Sequence, residues 1–141
     1  MKVSSGGQRA NRSGQTAESV IETILRQSAL VYETQVLVGE SIYGSKLRVD
    51  FFVKGLKDYP QGLIIESKWQ GSGGTADEKL PYLLENIKLK YPAPTLIVID
   101  GKGYRQGAWD WAKLQIGVCQ NLVEVLDISS FMLWISKGVL R

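Results

Sequence analysis

Two apolar segments of this chain are interrupted by ions. In VDFFV an aspartate, Asp50, sits among valines and phenylalanines, and in GLIIESKWQ a glutamate and a lysine, Glu66 and Lys68, follow Leu63, Ile64 and Ile65. Burying an unpaired carboxylate or ammonium costs several kcal/mol after relaxation, so each needs a partner, water or a metal ion. Strand side chains alternate between faces, which puts Ile64, Glu66, Lys68 and Gln70 on one face of the second segment. A hard divalent cation, Mg2+ or Mn2+, resolves the conflict. Asp50 and Glu66 can coordinate it through carboxylate oxygens, the main-chain carbonyl of Ser67 offers a third ligand, and Lys68 can reach an attacking water or a scissile phosphate. That set meets the needs of phosphodiester hydrolysis: a Lewis acid that acidifies water and a cation for the developing charge. An ion pair on a solvated strand face is the competing reading.

The rest of the composition narrows the chemistry. The 141 residues include no histidine and a single cysteine, Cys119. Ser/His/Asp and Cys/His catalysis, His-ligated metals, a cysteine zinc site and an internal disulfide are all excluded. Any metal must be held by carboxylates.

Asp50, fifteen intervening residues, then Glu66-Ser67-Lys68 resembles the D…ExK motif of the PD-(D/E)XK nuclease superfamily, with Val49 where the motif's name has proline. The resemblance covers roughly residues 14–127 and implies a restriction-endonuclease-like core of αβββαβ order. It implies a Mg2+-dependent DNA endonuclease with Asp50, Glu66 and Lys68 catalytic, and with Asp50, Glu66 and Ser67 at the metal. It also implies an acid from the first helix, Glu18 first and Glu22 second, and a polar residue after ExK, here Gln70. The plainer readings are a first-turn helix acid for Glu18 and a polar strand end for Gln70. A chain holding one such site cuts one strand, so a homodimer is expected. A Holliday-junction resolvase or homing-type endonuclease of the same fold is the enzymatic alternative. A non-catalytic DNA-binding accessory subunit is the other.

The elements that must position these residues follow from periodicity and punctuation. Residues 1–15 are rich in Gly, Ser, Asn and Gln with one large apolar residue, Val3, and read as a flexible basic arm; residues 16–141 read as a single domain. A helix is predicted from Thr16 as N-cap, with Val20, Ile21, Ile24 and Leu25 on its apolar face. Strands are predicted at 31–39, 45–55 and 62–70, and the glycine-rich 71–75 breaks the chain. A helix over 76–90 accommodates Pro81 in its first turn; a strand at 95–100, a helix at 106–116, a strand at 123–128 and a helix at 129–137 complete the chain. This is an α/β sandwich around a mixed central sheet.

The net charge is +3 and the pI near 9.0, but Lys2, Arg9 and Arg12 account for all the excess. The local distribution is more telling. Lys46, Arg48, Lys54 and Lys57 fall within twelve residues that hold one acid, and Lys102 and Arg105 flank Tyr104 after the 95–100 strand. Lys46, Arg48, Lys102, Arg105 and Arg12 are therefore the expected phosphate contacts on DNA, with Tyr104 a stacking candidate; solvated charge is the plain alternative. No apolar run approaches the roughly 20 residues a membrane helix needs, and the N-terminus has no apolar signal region, so a cytoplasmic protein is expected.

Overall fold

The structure, a computed structural model, describes residues 6–69, 76–101 and 103–137, without the side chains of 6–16, 76 and 77. Strands β1 (Val31–Glu40) and β2 (Lys46–Lys54) form an antiparallel hairpin. Its turn is closed by the Ser41 hydroxyl, which accepts from the N–H groups of Tyr43 and Ser45. Strand β3 (Leu63–Trp69) pairs antiparallel with β2 and parallel with β4 (Thr95–Asp100), and β4 pairs parallel with β5 (Leu122–Leu126). The spatial order is β1-β2-β3-β4-β5. Gly62 launches β3 at φ +101°, where a Cβ would lie 2.3 Å from the Phe52 ring, so only glycine fits there.

Helix α1 (Gly6–Gln27) and α4 (Ile128–Ser136) cover one face of the sheet; α2 (Leu80–Leu89) and α3 (Gln106–Leu114) cover the other. Strands β3 and β4 are apolar on both faces for this reason. Leu63 and Ile65 of β3, with Leu96 and Val98 of β4, pack under α1 and α4, while Ile64, Ile97 and Ile99 pack under α2 and α3. The mixed sheet flanked by helices is the α/β architecture expected from the sequence. Among the described residues no helix is long and apolar enough to cross a membrane.

Some boundaries differ from expectation. Helix α1 begins at Gly6 rather than Thr16, because extending an already nucleated helix adds a hydrogen bond per residue without a further nucleation cost. Its buried stripe is Ala17, Ile21 and Leu25, one per turn, which leaves Val20 exposed. The 76–90 helix opens as a 3-10 turn, Ala76–Lys79, and becomes α-helical at Leu80, with Pro81 in the first turn. Helix α4 is capped by Asp127, whose carboxylate accepts from the Ser130 N–H at 2.7 Å.

One irregularity positions the site. Leu47 and Val49 of β2 belong to the core under α2, whereas Phe51 and Val53 belong to the core under α1 and α4. Residues of equal parity share a face in a regular strand. The hairpin therefore rolls over between them, at Asp50 and at Gln35 opposite, whose φ is +51°.

Candidate active site

The pairing of β2 with β3 runs from Val53↔Leu63 to Phe51↔Ile65 and stops, while β3 goes on pairing with β4 as far as Trp69↔Asp100. Where β2 leaves, its main-chain donors lose their ladder partners and need others. Two acids supply them. Glu66 Oε1 accepts from the Asp50 N–H at 2.8 Å, and Asp50 Oδ2 accepts from the Ser67 N–H at 2.8 Å. Each carboxylate holds the main chain of the opposite strand, which brings both to one opening in the sheet.

Glu66 is 3% exposed, and its second oxygen accepts from the Tyr91 hydroxyl at 2.7 Å. Burial pushes its carboxyl up to about 6, helped by the Asp50 charge and opposed by Lys68, the Tyr91 hydroxyl and the Asp50 N–H. The Tyr91 hydroxyl is itself pushed up, by burial and then by the Glu66 charge. Tyr91 lies just beyond α2, where Pro92 bars a further turn. The Asn86 carbonyl accepts from the N–H groups of Lys90 and Tyr91 at 2.7 and 2.9 Å, and the Asn121 amide donates to the carbonyls of Ile87 and Tyr91.

On the far side of Asp50, Gln35 Nε2 donates to Asp50 Oδ1 and to Glu18 Oε1, both at 3.3 Å. Burial and then the neighbouring Asp50 carboxylate push the Glu18 carboxyl up to about 7; Glu66 adds to this and Lys68 opposes it. Glu18, Asp50, Glu66 and Lys68 thus share one electrostatic neighbourhood. Glu22, one turn further along α1, accepts instead from the Tyr32 hydroxyl at 2.9 Å.

Two cavities flank the carboxylate bridge. One, of about 380 Å³, is an open polar cleft walled by Glu18, Glu22, Thr34, Gln35 and Asp50. The other, of about 290 Å³, is bounded by Glu66, Lys68 and Tyr91 and by apolar side chains of β2 and α2.

The donor chemistry suits a hard divalent cation. All the available donor atoms are oxygens, and after burial it is the neighbouring Asp50 carboxylate that raises the Glu18 carboxyl, a repulsion that a cation would relieve. No three such groups are close enough to cage an ion among the described residues. Mg2+ does not require a cage, since it commonly takes one or two carboxylates and leaves the remaining positions to water and phosphate. Asp50 with Glu18 or Glu66, and the Ser67 carbonyl, would hold it.

The other expected site residues are scattered. Lys46 and Arg48 are exposed on β2, and Arg48 borders the smaller cavity while donating to the Gln35 carbonyl at 3.4 Å. Arg105 is exposed and paired with Glu78 at 3.3 Å. Tyr104 is not available for stacking: it is 8% exposed and packs in the core with Ala112 and Cys119. Gln70 and Lys102 lie outside the described residues, as does the side chain of Arg12. The sequence reading missed Tyr91 and Gln35. No motif spacing marks either one, because each meets its acid only through the tertiary fold.

Comparisons with known proteins place the chain in a family. The family model for a PD-(D/E)XK nuclease superfamily domain matches residues 9–139. A search of curated proteins found no significant match. Among solved structures, that of AF1548, a protein of unknown function, is 16% identical with a TM-score of 0.48, over 86% of this chain and 65% of that one. The MspJI restriction endonuclease in complex with a 27-mer oligonucleotide is 16% identical with a TM-score of 0.41, over 86% of this chain and 26% of that one. The D…ExK spacing, the parted strands that carry it and a family match spanning nearly the whole chain agree: the chain belongs to the PD-(D/E)XK nuclease superfamily.

Proposed function

We propose that this protein is a metal-dependent endonuclease that hydrolyses phosphodiester bonds in DNA. The observation that carries the reading is the reciprocal hold of Asp50 and Glu66 at the point where β2 and β3 part, with Lys68 beside Glu66 on the same cavity. A divalent cation, Mg2+ or Mn2+, when bound there polarises a phosphoryl oxygen and acidifies water. Asp50, Glu66 and the Ser67 carbonyl would hold that cation, with Glu18 contributing from α1. Lys68 places its ammonium against the scissile phosphate, where negative charge grows in the transition state. Gln70, two residues after Lys68 in the sequence, orients the water or the lysine.

Lys46, Arg48 and Arg105, with Lys102 and Arg12, contact backbone phosphates and position the duplex without reading its sequence. Cutting both strands takes two copies. Exposed Leu114 and Val118 near one side of the edge strand β5, and exposed Met132 and Leu133 on α4 near the other, suit a homodimer contact. The protein acts in the cytoplasm.

Incubation with supercoiled plasmid, linear duplex and a four-way junction, each with Mg2+ or EDTA, tests the assignment. Metal-dependent cutting of duplex DNA supports an endonuclease of the restriction type, and cutting of the junction alone selects a resolvase. Binding without cutting under any metal reduces the protein to an accessory subunit.

A further inference from the structure

The open polar cleft lies on the Glu18 and Asp50 side of the proposed site, and the smaller cavity lies on the Glu66 and Lys68 side, where most of its lining has no part in that chemistry. Its walls are Leu47, Leu80, Leu83 and the ring of Tyr82, and three cations, Arg48, Lys68 and Lys79, border it. Glu66 also borders it, 3% exposed, with its two oxygens accepting from the Asp50 N–H and the Tyr91 hydroxyl. An apolar slot bordered by cations fits a flat apolar group tethered to an anion. At about 290 Å³ it falls at the small end of ligand pockets, roughly 300–1,000 Å³, which suits one nucleotide and not a duplex edge.

The aromatic surface at this cavity is prearranged. Tyr82 stacks on Tyr43 with ring centroids 5.1 Å apart and planes at 22°, and both rings are exposed. The turn that carries Tyr43 is anchored to α2, because the Ile42 N–H donates to the buried Asn86 side chain at 2.8 Å. A base laid against Tyr82 extends an existing stack whose ordering cost is already met.

Taking the nuclease reading as its basis, we propose that this cavity receives the base of one unpaired nucleotide adjoining the scissile phosphate. A base reaches such a slot only after leaving the helical stack, which is least costly where it is already unpaired. The favoured substrate is then DNA carrying an unpaired nucleotide, with Lys68 and Arg48 on the flanking phosphates.

The test is fluorescence anisotropy in EDTA with two labelled probes, a fully paired duplex and the same duplex with a one-thymine bulge. The wild-type protein should bind the bulged probe about tenfold more tightly, and Tyr82→Ala should bring the two affinities within roughly twofold of each other. Leu83→Phe, which fills the slot from the opposite wall, should do the same, and Tyr43→Ala should weaken the preference in part. Equal wild-type affinities, or a preference retained in Tyr82→Ala, would overturn the proposal. Equal affinities together with metal-dependent plasmid cutting would remove the base slot and leave the nuclease reading intact. A bulge preference without cutting under any metal would do the reverse.

Discussion

Asp50 and Glu66 do not hydrogen-bond to each other; each accepts a 2.8 Å hydrogen bond from the main chain beside the other, Glu66 from the Asp50 N–H and Asp50 from the Ser67 N–H. This relationship explains how ions come to stand inside apolar strands. The acids replace ladder bonds that β2 and β3 cease to make after Phe51↔Ile65, and the replacement keeps the parted strands at a fixed separation. An opening that carries charge is therefore built into the sheet with the Asp50 and Ser67 N–H groups both satisfied.

Tyr91 is the first residue to probe. Tyr91→Phe removes the donor to Glu66 Oε2 from a group that is 3% exposed. The loss should cost roughly 1–3 kcal/mol of stability at pH 8 and less at pH 5, since a protonated carboxyl does not need that donor. Urea denaturation at the two pH values measures it, and a loss independent of pH would show that the hydroxyl does not serve the carboxylate.

The crowded acids also set a pH dependence. Glu18 at about 7 and Glu66 at about 6 both lie above the ordinary value of 4.5, so the folded chain binds more protons than the unfolded chain between about 4.5 and 7. Their contribution therefore favours the fold at low pH and is lost as pH rises through that window. Mg2+ competes with those protons, so its stabilising effect on thermal melting should be larger at pH 8 than at pH 5.5. An equal Mg2+ shift at both values would place the ion elsewhere.

Lys68 should act on the transition state more than on binding. Lys68→Ala is expected to slow single-turnover cleavage by about a hundredfold or more while leaving DNA affinity nearly unchanged. Comparable losses in rate and affinity would make it a phosphate-binding residue only.

Arg48, exposed beside the smaller cavity, should instead contribute a counterion-releasing contact. Arg48→Ala should weaken DNA binding and reduce the slope of log affinity against log salt by about 0.9. An unchanged slope would remove Arg48 from the DNA interface.

Much of the frame was legible in the chain. Ions inside apolar runs are costly enough that their position singles out Asp50, Glu66 and Lys68 as candidates, and the sequence of elements followed from periodicity. What escaped the reading depends on contacts between distant segments. Tyr91 and Glu66 are 25 residues apart, and Gln35 and Asp50 are 15 apart. Tyr104 looked like a loop aromatic between two basic residues, yet it is 8% exposed and belongs to the core under α2 and α3. Glu18 and Glu22 were both candidates for the helix acid. They separate only once the fold sets Gln35 between Glu18 and Asp50 and turns the Tyr32 hydroxyl to Glu22.

The most direct measurement is single-turnover cleavage of a supercoiled plasmid by the wild-type protein and by Asp50→Ala, each with Mg2+ and with EDTA. Wild-type protein should cut only with Mg2+, and Asp50→Ala should be slower by about a hundredfold or more. Cutting that persists in EDTA, or an Asp50→Ala rate equal to that of the wild type, would contradict a metal-dependent active site at the parting of β2 and β3.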